Sequence, residues 1–168
     1  MPAYKTKALC IKNKPFSESD KLVTIFSREY GKIKVIAKSA RRIPSRLGGR
    51  VETFCLNDFL LAKGRSLDIV SQCEVLETFQ AIREDGSSLM LAYYLLKIID
   101  AGTSEGQKNE ELFDLIIRYL FRIKVKDNLK TMAGEFEKEF LQLEGIYRVG
   151  IDTKYLVSDH LGVDLRKW

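Results

Sequence analysis

The first half of the chain consists of short runs in which apolar and polar residues alternate, the period typical of β-strands. Turn residues separate the runs, among them Glu29-Tyr30-Gly31 and Gly64-Arg65-Ser66. The predicted strands cover Ala3–Lys12, Lys21–Phe26, Lys32–Lys38, Asp58–Lys63 and Leu67–Val75. Five short strands with tight turns and no helical pattern between them predict a small antiparallel barrel, as in the oligonucleotide-binding (OB) fold.

Near Thr78 the apolar period changes from two to about 3.6, which predicts helices for the rest of the chain. Gly102-Thr103-Ser104 ends the first stripe, Gly145 ends the third and Asp152 precedes the last. The stripe residues, expected in a core, are Leu89, Tyr93, Leu96 and Ile99; Leu112, Leu115, Ile116, Tyr119, Leu120 and Ile123; Leu129, Met132, Phe136, Phe140 and Leu143; and Tyr155, Leu156 and Leu161.

These two patterns together predict an α+β protein. An N-terminal five-stranded OB-fold barrel is expected over residues 1–78 and an all-helical domain over residues 79–168. A chain of 168 residues is long enough to bury a core in this arrangement.

Composition predicts a cytoplasmic protein. No run approaches the roughly 18 apolar residues of a membrane span, and the N-terminus lacks the apolar region of a secretory signal. The cysteines are three in number and far apart (Cys10, Cys55 and Cys73), which predicts reduced thiols rather than a disulfide framework.

Charge is unevenly distributed between the two halves. Residues 1–80 hold 15 Lys and Arg against 8 Asp and Glu, whereas residues 81–168 hold 13 against 15. A basic half joined to a mildly acidic half indicates one surface for a polyanion and another for a different partner. Ordinary charge scatter is the alternative.

The basic character is concentrated between residues 28 and 50, where eight cations accompany the single acid Glu29. Alternation along the third strand directs its lysines to one face and Ile33, Val35 and Ala37 to the barrel interior. A charged strand that continues into a basic loop is suited to a phosphate backbone, although a solvated face is the simpler alternative. The predicted DNA contacts are Arg28, Lys32, Lys34, Lys38, Arg41, Arg42, Arg46, Arg50 and, as an exposed stacking residue, Tyr30. A secondary basic cluster, in the helical half, is Arg118, Arg122, Lys124 and Lys126.

The sequence offers no pattern of catalytic residues. It lacks a CxxC pair, a Gly-rich nucleotide loop and an acidic pair suited to a two-metal nuclease, and its one histidine, His160, has no ligand cluster at the required spacing. We therefore expect no enzyme activity, no cofactor and no metal.

The stretch from Lys12 to Phe54 closely resembles the N-terminal domain of the bacterial RecO family of recombination mediators. The resemblance rests on Glu29-Tyr30-Gly31-Lys32, on Ala40-Arg41-Arg42 and on Gly48-Gly49. It continues more loosely through the helical half, which includes Ala92-Tyr93-Tyr94-Leu95.

The resemblance implies an OB domain and a helical domain that act in recombinational DNA repair. It implies binding to single- and double-stranded DNA, annealing of complementary strands, and recombinase loading on DNA covered by single-strand binding protein. The implied partners are RecR and the acidic C-terminal tail of single-strand binding protein, in the bacterial cytoplasm at the nucleoid. Many members carry a four-cysteine zinc module, whereas residues 141–155 here are short and contain no cysteine, which indicates a short form without zinc.

Two other functions fit the residues. An interaction adaptor would dock proteins through its helical half and have only incidental affinity for DNA. An RNA-binding OB-fold protein would use the same basic surface, because the fold alone does not distinguish the two sugars.

Overall fold

The computed structural model describes residues 2–168, which form five strands followed by five helices. The strands are β1 (Ala3–Pro15), β2 (Lys21–Ser27), β3 (Gly31–Ala37), β4 (Leu56–Ala62) and β5 (Asp68–Glu77). The helices are α1 (Gln80–Arg83), α2 (Gly86–Ala101), α3 (Glu110–Lys124), α4 (Leu129–Leu143) and α5 (Thr153–Leu161), with a 3-10 turn at Gly48–Arg50. Among the described residues, no helix has the length and apolar character needed to cross a membrane.

The strands close into a barrel in the order β1-β2-β3-β5-β4, with β4 paired again to β1. The predicted OB-fold barrel is confirmed, but the prediction of a wholly antiparallel barrel is wrong. β3 pairs with β5 in parallel, Val35 opposite Asp68 and Ile36 opposite Ile69. A ring of five strands requires this, because antiparallel neighbours alternate in direction and an odd number cannot alternate completely.

Side chains that alternate along the strands fill the barrel. The predicted interior positions Val35 and Ala37 are fully buried, and Ile33 packs against the same core. β1 extends past the predicted end at Lys12, because Lys14 and Pro15 still pair with β2 beyond a bulge. Lys38 lies outside β3, in the turn that follows it.

The chain divides into two compact units. The first comprises the residues up to Thr78 together with Ser104–Glu110, and the second comprises Phe79–Thr103 and Glu111–Trp168. The segment between α2 and α3 therefore belongs to the barrel unit, although it lies inside the helical half of the sequence.

In the helical unit, every predicted position of the second stripe is buried on α3. Three positions of the other stripes are wrong, because Tyr93, Leu143 and Tyr155 are exposed. On α2 the neighbouring Tyr94 is buried instead. A tyrosine has an apolar ring and a polar hydroxyl, so the periodicity did not distinguish between two adjacent tyrosines.

A buried carboxylate joins three helices of this unit. Glu137 on α4 is 4% exposed and accepts hydrogen bonds from the hydroxyl of Tyr94 on α2 and from Thr153 Oγ1 on α5, the latter at 2.8 Å. The pKa of Tyr94 is raised above its usual value, mainly by burial and secondly by the hydrogen bond to Glu137. Removal of either hydroxyl would leave the Glu137 carboxylate without one of its two donors. The free energy of unfolding would then fall, because a buried acceptor would be left without a partner.

A substitution at Gly31 tests how closely the segment 104–110 packs against the start of β3. Its φ is +74°, and a Cβ added there would lie 2.1 Å from the carbonyl oxygen of Gln107. We expect Gly31→Ala to lower the free energy of unfolding by about 2 kcal/mol or more, from backbone strain and steric overlap together. Urea denaturation measures the change. Gly49→Ala is the matched control, because a Cβ there meets no atom within 4 Å; equal losses in the two variants would contradict the assigned packing.

Candidate nucleic-acid interface

The predicted contact residues lie in three neighbouring stretches of the barrel unit. Arg28 and Tyr30 occupy the turn after β2, and Lys32 and Lys34 lie on β3. The remaining five lie on the connection that follows β3, whose residues 38–50 we call the basic loop: Lys38, Arg41, Arg42, Arg46 and Arg50. The surroundings of the three stretches differ.

One cation of β3 and one of the turn before it lie beside acids that are distant in sequence. Residues 104–110, which we call the acidic segment, run along β3, and the Gly106 N–H donates to the Lys32 carbonyl oxygen at 2.9 Å. Glu105 Oε1 lies 3.2 Å from Lys34 Nζ, and Glu110 Oε1 lies 3.7 Å from Arg28 Nη1. Two predicted phosphate contacts therefore have carboxylate partners within the protein. Sequence reasoning missed this because some 70 residues separate the partners.

Both ends of the basic loop are held by the barrel. Ala40 and Leu47 are buried in the barrel core, only 5% and 8% exposed. Asp20, between β1 and β2, accepts from the Ser39 N–H at 2.8 Å and pairs with Lys38 Nζ at 3.5 Å. The Ser39 hydrogen bond is the main cause that lowers the pKa of Asp20, so this carboxylate stays charged and fixes the start of the loop.

The arginines of the basic loop have neutral partners instead of acids. The Arg41 guanidinium donates to the Ser17 carbonyl oxygen, and Arg42 Nε donates to Ser19 Oγ at 3.0 Å. Arg50 Nη1 donates to the Cys73 carbonyl oxygen at 3.0 Å. The exposed Arg46 has no hydrogen bond or ion pair with any residue between 2 and 168. None of these four guanidinium groups therefore forms an ion pair with a described carboxylate.

Tyr30 borders a cleft of about 720 Å³ between β3, the start of β1 and the β4–β5 turn. Its ring is 44% exposed and contacts Tyr4 edge-on, with ring centroids 4.9 Å apart. Lys63 Nζ lies 5.2 Å from the Tyr4 ring centroid, a cation–π geometry. Tyr4, Lys63 and Lys108 also line the cleft and were not among the predicted contacts. The sequence pattern did not predict these three residues, since each stands alone in a separate part of the sequence.

A second cleft of about 720 Å³ lies over β1, β4 and β5, and it receives Arg46 and Arg50 from the basic loop. Lys5 and Lys7 add positive charge. The acids on its walls, Glu29, Asp58 and Glu74, nearly balance these cations. The cleft is therefore less suited to a polyanion than the exposed part of the loop.

No group of three or more His, Cys, Asp or Glu side chains that could hold a metal ion occurs among residues 2–168. The three cysteines are buried members of the barrel core. Burial raises the pKa of the Cys73 thiol to about 12. A thiol in such surroundings stays protonated near neutral pH and is a poor nucleophile.

The fold and this surface define an OB-fold domain with an arginine-bearing loop, linked in sequence to a helical domain. Residues 1–79 match the family described as Recombination protein O N terminal, and residues 83–147 match Recombination protein O C terminal. The chain belongs to the RecO family.

Named relatives agree with this assignment. The chain is 40% identical to the DNA repair protein RecO of Alkaliphilus metalliredigens over 143 residues, 84% of this chain and 58% of the relative. It is 38% identical to the DNA repair protein RecO of Pelotomaculum thermopropionicum over 86% of this chain and 56% of that protein. It is 39% identical to the DNA repair protein RecO of Gloeobacter violaceus over 94% of this chain and 60% of that protein. The chain thus matches somewhat more than half the length of these relatives.

The buried thiols give a prediction about reactivity and pH. At pH 8 we expect a thiol reagent to modify the native protein roughly a hundredfold more slowly than the protein in denaturant, because modification requires opening of the barrel. Because burial raises the pKa of the Cys73 thiol from about 9 to about 12, the neutral thiol also stabilises the folded state. This contribution is complete below about pH 9 and is lost as the pH rises toward 12. The absorbance of the chromophore that the thiol reagent releases measures the rate of modification. One thiol that reacts in the native protein as fast as in denaturant would contradict its burial.

Proposed function

We propose that this chain is a non-enzymatic DNA-binding recombination mediator that acts in DNA repair. In this proposal, residues 1–78 bind single- and double-stranded DNA, and residues 79–168 dock partner proteins. The observation that carries it is the basic loop, in which exposed arginines without carboxylate partners stand on a loop fixed at both ends in the barrel. The relatives' name, DNA repair protein RecO, supports the biological role.

Strand annealing by such a protein needs no nucleophile or metal. Two DNA strands repel each other through their phosphates, and arginines that neutralise these phosphates let the strands approach. Base pairing then supplies the driving free energy. The exposed guanidinium groups of Arg41, Arg42 and Arg46 are suited to this task, because the fork of donors on an arginine matches phosphate oxygens.

Loading of recombinase on DNA covered by single-strand binding protein, together with RecR, is part of the same proposal. For the acidic tail of single-strand binding protein, the structure offers exposed apolar groups beside cations at the end of α3. Phe121 is 42% and Val125 71% exposed, and Lys124 Nζ lies 5.8 Å from the Phe121 ring centroid. The nearby Arg118 and Arg122 pair with acids of α4, Glu139 and Glu135, so they are less available than the sequence indicated.

The first test removes the loop arginines. In Arg41→Ala/Arg42→Ala/Arg46→Ala we expect affinity for a single-stranded oligonucleotide to fall and the salt dependence of log Kd to flatten by about 0.7 for each lost phosphate contact. Annealing should fail in parallel, while unfolding free energy changes by less than about 0.5 kcal/mol per site. Fluorescence anisotropy across a salt series measures the binding.

The matched control replaces three exposed cations of the helical unit, Lys97, Lys130 and Arg148. Equal losses in both triple variants would mean that overall charge, and not the basic loop, governs binding.

Competition between DNA and RNA oligonucleotides of the same sequence tests the RNA-binding alternative. If the protein is an interaction adaptor, the loop variant will still bind its partner, and neither the wild type nor the loop variant will anneal DNA.

The second test concerns the acidic segment. Glu105→Gln frees Lys34 from its 3.2 Å partner without a large change of shape. We expect affinity for the oligonucleotide to rise roughly two- to fivefold, with a steeper salt dependence if Lys34 then contacts phosphate. Glu111→Gln, an exposed site in the helical unit with the same change of charge, is the control. The same rise in both variants would exclude a local effect of the ion pair.

A further inference from the structure

The tip of the basic loop presents an apolar side chain to solvent. Ile43 is 98% exposed, a larger fraction than any other large apolar side chain described between residues 2 and 168. Single exposed apolar residues are common on proteins, so exposure alone assigns no role. The position of Ile43 is more informative, since it lies between Arg42 and Arg46 on a loop whose proposed role is otherwise electrostatic.

The loop cannot bury Ile43 without moving its own anchors. Ala40 lies three residues before the tip and Leu47 four residues after it, and both are packed in the barrel core. Between them, Ser45 Oγ accepts from the N–H groups of Leu47 and Gly48 at 3.1 and 3.0 Å. The loop thus holds the isoleucine outward from a short, tethered tip.

The neighbouring charges determine which ligand can reach Ile43. In the proposed function the guanidinium groups on both sides of Ile43 bind phosphates, and the bases of a strand held at two such points can lie over the residue between them. The isoleucine side chain has no hydrogen-bonding group, so its contact with a base is an apolar contact with the face of the ring. Apolar wedges of this type pack against unstacked bases in other DNA-binding proteins, and unstacking costs least in a single strand.

We propose that Ile43 packs against the face of an unstacked base in single-stranded DNA whose phosphates are held by Arg41, Arg42 and Arg46. This inference rests on the proposed DNA-binding function and deepens it. The contact adds affinity without sequence preference, and it keeps a base out of its stack while a complementary strand approaches. Its contribution is apolar, whereas the contribution of the arginines is electrostatic, and the two are therefore separable by salt.

The first experiment compares Ile43→Ser with the wild type on an oligothymidine strand. We expect Kd to rise roughly five- to tenfold, as for the loss of a partly buried aliphatic side chain, with an unchanged salt slope. Val149→Ser is the matched control, because Val149 is 87% exposed in the helical unit. If the wild type binds with steep salt dependence and Ile43→Ser binds equally well, the inference is wrong and the proposed function stands. If the wild type does not bind DNA, the proposed function itself fails.

A second experiment reports the contact directly. Ile43→Trp, made together with Trp168→Phe so that one tryptophan remains, should lose fluorescence on binding oligothymidine, because a stacked base quenches indole emission. Val149→Trp in the same background should keep its emission. Unchanged emission at position 43, with binding confirmed by anisotropy, would overturn the inference. Circular dichroism that matches the wild type shows that each variant is folded.

Discussion

Closure of a five-stranded ring requires one pair of strands to run parallel, and here that pair is β3 and β5. β5 lies between β3 and β4 in the ring, so a tight hairpin turn cannot join β3 to β4, and the chain must pass β5 before it rejoins the ring. It does so through residues 38–55 and enters β4, which pairs with β1 and closes the barrel. The long connection is thus a consequence of the barrel's geometry, and it is this connection that carries the arginines.

The proposed binding role of the long connection depends on its anchoring to the barrel. A loop of this length without anchors would lose much conformational freedom on binding, which would weaken its affinity. Ala40, Leu47 and Val51 lie in the barrel core, and Asp20 holds the first turn through Ser39 and Lys38. The free segment is thereby reduced to a few residues around the tip, which presents charge and one apolar group at a defined place.

The acidic segment introduces electrostatic competition within the barrel unit. Glu105 and Glu110 occupy positions near Lys34 on β3 and Arg28 in the turn before it, and a phosphate could also take these positions. Partly exposed ion pairs of this kind contribute little to stability, about 1 kcal/mol or less, so a polyanion can exchange with them at modest cost. In the proposed function, this asymmetry favours the basic loop over the strand as the first point of contact with DNA, because the loop arginines have no paired carboxylate to displace.

The sequence by itself determined the elements and the locally encoded chemistry. Alternation predicted the five strands and the interior positions Val35 and Ala37, the helical period predicted the buried face of α3, and the density of Lys and Arg located the basic segment. These features depend on neighbours a few residues apart, which a linear pattern records. Only the tertiary structure decided that Glu105 pairs with Lys34, that Tyr94 and not Tyr93 is buried, and that Ile43 lies at an outward tip. Those outcomes depend on residues distant in sequence, or on the path of an irregular loop, neither of which has a period to detect.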